Sequence, residues 1–251
     1  MALNQRRQGI LNLIREDGHA KVQQLSKIFK VSEVTIRQDL ETLEEMGYIQ
    51  REHGGAFLKD VGTFAKTGML FNQHHMEEKQ EIARKAVGLV REGDSIILDS
   101  GSTTTELAKL LLNFNSLNVI TNGLNIAMIL GENPGINLII SGGEFKAPTL
   151  SLTGDMAAAT FKNIHVDKLF LATAGISADF QLTYPSLSDL AVKSAMLRAA
   201  SQVYLLADSS KLGYSSFASL GRISLIDTLI TDNKITAAQL DTLKEMKVSV
   251  L

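Results

Sequence analysis

The sequence predicts an α/β protein in two parts: a small N-terminal domain of helices closed by a β-hairpin, and a larger C-terminal domain of alternating strands and helices. Three segments in the first 57 residues carry apolar residues at helical spacing, and a glycine pair follows them. From residue 77 onward, short apolar runs alternate with helical patterns, which is typical of a largely parallel sheet. A chain of 251 residues is long for one domain and sufficient for two.

The N-terminal domain, residues 1–57, has the element order of a winged helix-turn-helix. Ser32 is a suitable N-cap for the third helix, and Gly47 is its expected C-terminal stop. The segment that follows alternates weakly and turns at Gly54 and Gly55, as a β-hairpin does. The predicted elements are helices over 4–17, 22–29 and 33–46 and a hairpin over 48–57.

Residues 58–76 lack strong periodicity, and we interpret them as a linker to a C-terminal domain over residues 77–251. Strands are predicted over 95–98, 118–121, 136–140, 168–172, 203–207, 228–230 and 248–250. Helices are predicted over 77–90, 103–112, 124–130, 190–200 and 237–246, and a further helix is expected to start at Ala157.

The composition excludes several classes of site. The chain has no cysteine, which rules out disulfides, thiolate metal sites and cysteine nucleophiles. Its five histidines show no metal-ligand spacing, so we predict neither a metal site nor a cofactor. Charges interrupt the apolar residues near the N-terminus every few positions, so we expect no signal peptide, no membrane partner and a cytoplasmic, nucleoid-associated protein.

The third predicted helix is placed to enter the major groove of double-stranded DNA. On a helical wheel, Val34, Arg37 and Gln38 lie opposite the apolar residues that face the core. Arg37 can donate to guanine or phosphate, and Gln38 can pair with adenine. Ser32 and Thr35 are placed for phosphate contacts from the start of the helix.

Bulk charge does not support this interpretation, because the first 57 residues hold eight Lys and Arg against eight Asp and Glu. We therefore expect the acidic side chains of Glu41, Glu44 and Glu45 to point away from the duplex, where phosphate repulsion does not oppose binding. The alternative is a small helical bundle with solvated polar faces, which periodicity alone does not exclude.

Two runs at fixed spacing closely resemble the N-terminal signature of the deoxyribose-operon-repressor (DeoR) family. They are VSEVTIRQDL over 31–40 and GYIQREHGG over 47–55, with Leu43 between them. The resemblance implies DNA binding, a structural role for Asp39 in holding a neighbouring basic residue, and a wing over 51–55. The predicted DNA-binding residues are Ser32, Val34, Thr35, Arg37, Gln38, Arg51, His53 and Gly54.

In the second domain, small and polar residues follow several predicted strands, at the positions where open α/β sheets bind ligands. The segment 99–105 joins a strand to a helix, and its hydroxyl and N–H groups suit a phosphate or carboxylate, although ordinary capping explains them equally well. Similar segments begin at Thr121, Ser141 and Asp208. Lys146, Lys193 and Lys211 offer positive charge for an anion, although each alone is typical of a solvated surface.

From about Glu78 to near its end, the chain also resembles the C-terminal domain of the same family, which is similar in fold to ribose-5-phosphate isomerase and binds phosphorylated sugars. By this resemblance residues 101–104 hold the phosphate. The predicted effector-binding residues are Asp99, Gly101, Ser102, Thr103, Thr104, Asn122, Gly142, Gly143, Lys146, Lys193 and Lys211. Ala174 and Ser186 depart from the Asp and Asn common in the family, near the expected sugar hydroxyls, which leaves the identity of the sugar open.

These observations predict a transcriptional repressor of a carbohydrate-utilisation operon that a phosphorylated sugar releases from DNA, and not an enzyme. The alternative is a sugar-phosphate isomerase fused to a DNA-binding module, with Asp99, Glu144, Asp189 or Asp208 as its base. A third possibility is a constitutive DNA binder with no small-molecule response. We expect a homodimer or homotetramer, because paired half-sites multiply the modest specificity of one winged helix.

Overall fold

The computed structural model describes residues 4–17, 19–52, 54–58, 75–146 and 149–251. They include two compact units, one within residues 4–58 and one made of residues 75–146 and 150–251. Most of the predicted linker, residues 59–74, lies outside the described residues. None of the described helices is long and apolar enough to cross a membrane.

The described part of the N-terminal unit consists of three helices and a three-stranded antiparallel sheet, as a winged helix-turn-helix requires. The helices are α1 (Gln5–Asp17), α2 (Val22–Phe29) and α3 (Glu33–Glu45), and the strands are β1 (His19–Lys21), β2 (Ile49–Glu52) and β3 (Gly55–Leu58). Strand β3 lies between β1 and β2. Apolar residues of all three helices pack with Ile49 and Ala56 of the sheet in one core, which confirms the predicted fold of this unit.

The C-terminal unit alternates strands with helices. Its helices are α4 (Met76–Val87), α5 (Ser102–Leu111), α6 (Leu124–Leu130), α7 (Gly154–Thr160), α8 (Leu187–Ala199) and α9 (Ala237–Glu245). Its strands are β4 (Ser95–Leu98), β5 (Leu117–Thr121), β6 (Ile136–Ile140), β7 (Glu144–Lys146), β8 (Ser151–Thr153), β9 (Val166–Ala172), β10 (Gly175–Ile176), β11 (Gln181–Tyr184), β12 (Ala200–Leu206), β13 (Ala218–Arg222), β14 (Thr228–Ile230) and β15 (Ser249–Val250).

Seven of these strands form one parallel sheet in the order β15-β14-β12-β9-β4-β5-β6. Both faces of the sheet are covered, because Ile96 and Leu98 pack in one apolar core while Ile97, between them, packs in the other. A sheet buried on both faces explains why its strands read as apolar runs in the sequence. The predicted α/β fold class is confirmed.

The smaller strands differ from the prediction. The hairpin of β7 and β8 and the antiparallel sheet β10-β11-β13 do not appear in the sequence pattern, because strands of two to five residues with mixed polarity carry too little alternation. The helix expected to start at Ala157 spans Gly154–Thr160 instead. The helix predicted over 77–90 ends at Val87, and residues 88–90 form a turn that continues to the first sheet strand.

Candidate functional site

The start of α3 is fixed by the cap that the sequence predicts. The Ser32 hydroxyl accepts a hydrogen bond from the Thr35 backbone N–H at 3.1 Å, and the two hydroxyl oxygens lie 2.9 Å apart. The end of the helix is equally defined, because Gly47 adopts a φ of +79° and Tyr48 N–H donates to the Leu43 carbonyl at 3.0 Å. Both ends of the candidate recognition helix are therefore set by local sequence.

The two faces of α3 differ as the helical wheel predicts. Ile36, Leu40 and Leu43 are buried in the core of the N-terminal unit. Val34 is 62% exposed, and the Arg37 and Gln38 side chains are exposed as well. The Arg37 guanidinium lies 3.1 Å from the Glu33 carboxylate, one turn earlier in the helix, in an exposed ion pair that water readily replaces.

A buried carboxylate holds α1 against α3. Asp39 is buried, and its oxygens accept from Arg6 Nε at 2.5 Å and Arg7 Nε at 2.8 Å. Burial disfavours ionisation of this carboxyl, but the hydrogen bonds from the two arginines outweigh it and lower the pKa of Asp39 below its ordinary value. The structural role that the family resemblance implies for Asp39 is thus observed, with two basic partners.

Replacing Asp39 with asparagine is expected to destabilise the N-terminal unit by about 1–2 kcal/mol at pH 7, because the partly exposed arginines lose a charged acceptor but keep water. The pKa of Asp39 is lower in the folded state than in the unfolded state. The carboxylate therefore stabilises the folded N-terminal unit fully above its unfolded-state pKa, which is near 4. This contribution is lost as the pH falls through the folded-state pKa. Hydrogen exchange of α3 amides between pH 7 and pH 3 measures both effects. Glu45→Gln, on the exposed side of α3, is the control, and an Asp39→Asn profile that matches it contradicts the prediction.

The wing is a tight turn between β2 and β3. Gly54 has a φ of +83°, and a side chain at Gly55 would bring its Cβ within 2.6 Å of the Ala20 carbonyl oxygen. The glycine pair is therefore required by backbone conformation and by close approach to β1. His53 lies outside the described residues.

The wing arginine is paired with the acidic run of α3. Arg51 Nη1 lies 3.4 Å from Glu41, and the Arg51 backbone N–H donates to the Glu44 carboxylate at 2.7 Å. Glu41 and Glu44, which were expected to point away from the duplex, thus turn toward a wing residue that is itself predicted to bind DNA. A DNA phosphate that binds Arg51 has to compete with these carboxylates.

In the C-terminal unit, an ion pair lies buried at the carboxyl end of the central strands. Asp99, which follows β4, is fully buried, accepts from the Ala172 backbone N–H at 3.0 Å and contacts the ammonium of Lys193 from α8. Burial raises the pKa of Asp99 above its ordinary value, against the attraction of Lys193, which favours the carboxylate. The Lys193 ammonium also lies 5.6 Å from the centre of the Tyr184 ring.

Two of the three predicted lysines have a carboxylate partner that the sequence does not reveal. Lys193 pairs with Asp99, and Lys146 of β7 lies 3.2 Å from the Asp189 carboxylate of α8. Both ammonium groups are therefore already paired with a carboxylate, and their binding of an anion stays a prediction. Lys211 makes no ion pair within the described ranges, so it retains the charge that suits an anion.

The junction of β4 and α5 presents the N-terminus of a helix. Gly101 is the N-cap residue without a capping side chain, and an added Cβ there would meet Ala172 Cβ at 2.7 Å. The Thr104 hydroxyl donates back to the Gly101 carbonyl at 3.0 Å, so this hydroxyl holds the turn. The backbone N–H groups of Ser102 and Thr103, at the first turn, have no intrahelical acceptor by geometry and suit an anion.

At the ends of the neighbouring strands, some of the predicted effector-binding residues are held within the fold, and another borders open space. Both amide atoms of Asn122 are bonded, since Oδ1 accepts from Ser100 N–H at 2.8 Å and Nδ2 donates to the Leu152 carbonyl at 3.1 Å. Gly143 has a φ of +120° and packs against Thr153, whereas a Cβ on Gly142 would meet open space. Asn122 and Gly143 therefore hold the backbone at this edge of the sheet, whereas Gly142 borders the open space beside it.

After β6 and at the start of α6, two buried polar atoms lack a hydrogen-bond partner among the described residues. They are Ser141 Oγ and Asn125 Oδ1, respectively. Buried polar atoms are almost always paired, so these two suit a bound polar molecule. The sequence interpretation places Ser141 in a polar segment but selects neither side chain, because unpaired atoms leave no mark in a sequence.

Of the two departures from the family pattern, Ala174 donates its backbone N–H to the Thr183 carbonyl at 3.2 Å, and Ser186 is the N-cap residue of α8, two positions after Tyr184. Ser186 caps α8 by accepting from Ser188 N–H at 3.2 Å, and Tyr184 donates to the Ala172 carbonyl at 2.8 Å. Burial, with the nearby Asp99 charge, raises the pKa of Tyr184 well above its ordinary value, so it remains a neutral donor. Within the described ranges no three His, Cys, Asp or Glu residues form a cluster that could hold a metal ion.

Comparison with protein-family models finds two matches along the chain. A model described as the DeoR-like helix-turn-helix domain matches residues 6–60, and one described as the DeoR C terminal sensor domain matches residues 74–233. The HTH-type transcriptional regulator GolR of Listeria innocua is 38% identical, over 93% of this chain and 92% of its own length. The HTH-type transcriptional repressor GlcR of Bacillus subtilis is 35% identical, over 96% and 93%.

The glycerol-3-phosphate regulon repressor of Escherichia coli is 31% identical, over 92% of both chains. Among solved structures, a ribose 5-phosphate isomerase A from Methanocaldococcus jannaschii is similar to 55% of this chain and 54% of its own, with a TM-score of 0.40 and 19% identity. A translation initiation factor eIF-2B from Pyrococcus horikoshii is similar to 91% of this chain and 95% of its own, with a TM-score of 0.48 and 14% identity.

Proposed function

Because the chain belongs to the DeoR family of transcriptional regulators, we propose that it represses a carbohydrate-utilisation operon and that a phosphorylated sugar releases it from DNA. The names of its relatives support repression, since one is the repressor of a glycerol-3-phosphate regulon and another is the repressor GlcR. The observation that carries the proposal is the exposure of Val34, Arg37 and Gln38 on a capped helix whose opposite face is buried.

In this proposal α3 lies in the major groove. Arg37 and Gln38 read base edges, Val34 makes an apolar contact, and the start of the helix binds phosphate. The proposed interface comprises Ser32, Val34, Thr35, Arg37, Gln38, Arg51 and Gly54, together with His53, which lies outside the described residues. Because the first 57 residues are nearly neutral, non-specific affinity is weak, and a homodimer or homotetramer on paired half-sites supplies the specificity.

The proposed effector site is the carboxyl edge of the parallel sheet. The phosphate binds the free N–H groups at the start of α5, and Lys211 supplies a charge that no carboxylate compensates among the residues that the structure describes. The unpaired Ser141 and Asn125 atoms favour a polar sugar beside Gly142. Lys146 and Lys193 act together with their carboxylate partners, so a sugar hydroxyl suits them better than the phosphate does.

This proposal assigns DNA binding to residues 1–57, a linker to residues 58–76 and effector binding to residues 77–251. It implies a cytoplasmic, nucleoid-associated protein that catalyses no reaction. The effector acts only through a difference in its affinity for the DNA-bound and free states, and a tenfold loss of operator affinity corresponds to about 1.4 kcal/mol of coupling.

We test it with ribose 5-phosphate, glucose 6-phosphate and sn-glycerol 3-phosphate, each compared with its unphosphorylated parent. A true effector at 100 times its Kd stabilises the C-terminal unit by about 2.7 kcal/mol, which raises its Tm by about 5–10 °C. The same compound lowers the affinity of the chain for DNA from upstream of the neighbouring operon, measured by fluorescence anisotropy. DNA binding with no response to any phosphorylated sugar favours the constitutive binder instead.

The isomerase alternative predicts turnover of one of these sugar phosphates. Asp99 has the raised pKa of a candidate base, but it is fully buried and bonded to Lys193, so a substrate carbon has no direct approach. Incubation of the three compounds with the purified chain, followed by NMR, is expected to show no conversion. Conversion that is lost in Glu144→Gln would contradict a regulator without activity.

A further inference from the structure

A short loop at the carboxyl edge of the sheet, residues 231–234 after β14, contacts two separate elements of the C-terminal unit. One is the turn Ser209–Lys211, which follows β12 and carries Lys211. The other is α4, the first helix after the predicted linker. We propose that loop 231–234 transmits effector binding to α4 and thereby to the DNA-binding unit, an inference that rests on the proposed function.

On the effector side, the loop holds the turn through a buried carboxylate. Asp232 is 2% exposed, and its Oδ2 accepts from the Ser209 backbone N–H at 2.7 Å. Its other oxygen, Oδ1, accepts from the Lys234 backbone N–H at 2.9 Å. One side chain therefore fixes the turn and the loop together, so a displacement of Ser209 changes the position of the loop.

On the linker side, the loop is bonded to both ends of α4. The Lys234 ammonium pairs with the Glu78 carboxylate in the first turn of the helix. The Lys85 ammonium, in the last turn, donates to the Thr231 carbonyl at 2.7 Å. Because the apolar side of α4 is buried through Ile82 and Ala83, these polar contacts add a second, directional attachment.

One further observation supports a loop with two arrangements. Thr231 Oγ1 is buried and has no hydrogen-bond partner among the described residues. Such atoms are uncommon and call for an explanation. A loop that moves when the effector binds explains the unpaired hydroxyl, because a second arrangement can give it an acceptor. Glu78, Lys234 and Asp232 are then positioning residues, which touch neither DNA nor sugar.

The test uses whichever of the three phosphorylated compounds stabilises the wild-type chain. It measures the coupling ratio, which is the operator Kd with this compound divided by the operator Kd without it. Glu78→Gln is expected to lower this ratio about two- to fivefold, the range for loss of one exposed ion pair. Its operator Kd without sugar phosphate and its sugar-phosphate Kd stay within about twofold of wild type. Asp232→Asn, whose amide opposes the Ser209 N–H, is expected to lower the ratio as well.

Arg84→Gln is the matched control, because Arg84 is exposed on the same helix and makes no contact with the loop among the described residues. It is expected to leave the coupling ratio unchanged. The charge reversal Glu78→Lys is expected to lower the ratio, and adding Lys234→Glu is expected to restore it. The proposal is overturned if Glu78→Gln keeps wild-type coupling, if Arg84→Gln loses as much, or if the double reversal fails to restore it. A wild type that binds DNA without response to the panel contradicts the proposed function itself.

Discussion

Replacing Arg37 with alanine is expected to weaken operator binding by about 1–3 kcal/mol, a factor of roughly 5 to 150. The guanidinium is exposed in the first turns of α3, on the side opposite the buried Ile36 and Leu40. Its exposed pair with Glu33 is worth at most about 0.5 kcal/mol, so DNA readily replaces it. The expected loss of operator affinity therefore comes mainly from the proposed contact of Arg37 with a base or a phosphate in the groove.

The salt dependence of the loss separates these two roles. If Arg37 reads a base, Arg37→Ala lowers the preference for operator over unrelated DNA and leaves the salt slope nearly unchanged. If it binds a phosphate, affinity falls evenly across sequences and the slope decreases by about one. Fluorescence anisotropy at several salt concentrations measures both quantities. Arg198→Ala, an exposed arginine of α8, controls for loss of charge, and an Arg37→Ala chain with unchanged affinity, specificity and slope removes Arg37 from the interface.

The N-terminal unit was largely predictable because its signals are local. The Ser32 cap, the Gly47 stop and the apolar stripe of α3 each depend on residues within a few positions, and all three are observed. Strand β1 was not predictable, because its three residues are ordered by pairing with β3, more than thirty positions later. The pairing of Arg51 with Glu41 likewise follows from the way the hairpin folds back on α3.

In the C-terminal unit, the sheet strands were predictable and the charge of the site was not. Strands buried on both faces appear as apolar runs, whereas the order β15-β14-β12-β9-β4-β5-β6 depends on how the connections cross. Lys193 and Asp99 are 94 positions apart, and Lys146 and Asp189 are 43 apart. Polar segments after strands thus located the edge, while the carboxylates that pair with two of its three predicted lysines became visible only in the fold.

Replacing Lys193 with methionine is expected to have the largest effect on stability, a loss of about 3–5 kcal/mol in the C-terminal unit. The variant leaves Asp99 fully buried with the Ala172 N–H but without its cation. For a unit of this size the loss corresponds to a decrease in Tm of about 6–20 °C. Lys234→Met is the matched control, because its ion pair with Glu78 is 64% exposed on the lysine side, and exposed ion pairs contribute little to stability.

The stability lost in Lys193→Met is expected to depend on pH. The direction of this dependence identifies the unpaired Asp99 carboxylate as its cause. Burial already raises the pKa of Asp99, and removal of Lys193 removes the main attraction that opposes this rise. A raised folded-state pKa means that the stability of Lys193→Met is greatest below the unfolded pKa, near pH 4, and is lost as pH rises through the folded value. Chemical denaturation between pH 4 and pH 8 measures this slope, and a variant within about 1 kcal/mol of wild type throughout contradicts a buried, charged pair.

The double variant Asp99→Asn/Lys193→Met separates a structural role of the pair from a role in effector binding. It removes both charges, so most of the stability lost in Lys193→Met is expected to return. If Lys193 serves mainly Asp99 and contacts only a sugar hydroxyl, the double variant binds the sugar phosphate within a fewfold of wild type, because one such hydrogen bond contributes about 1 kcal/mol. If Lys193 instead binds the phosphate directly, affinity stays reduced by about tenfold or more after stability is restored, since a hydrogen bond to a charged group is worth about 1.5–3 kcal/mol. Isothermal titration of the two variants at one pH decides between these roles.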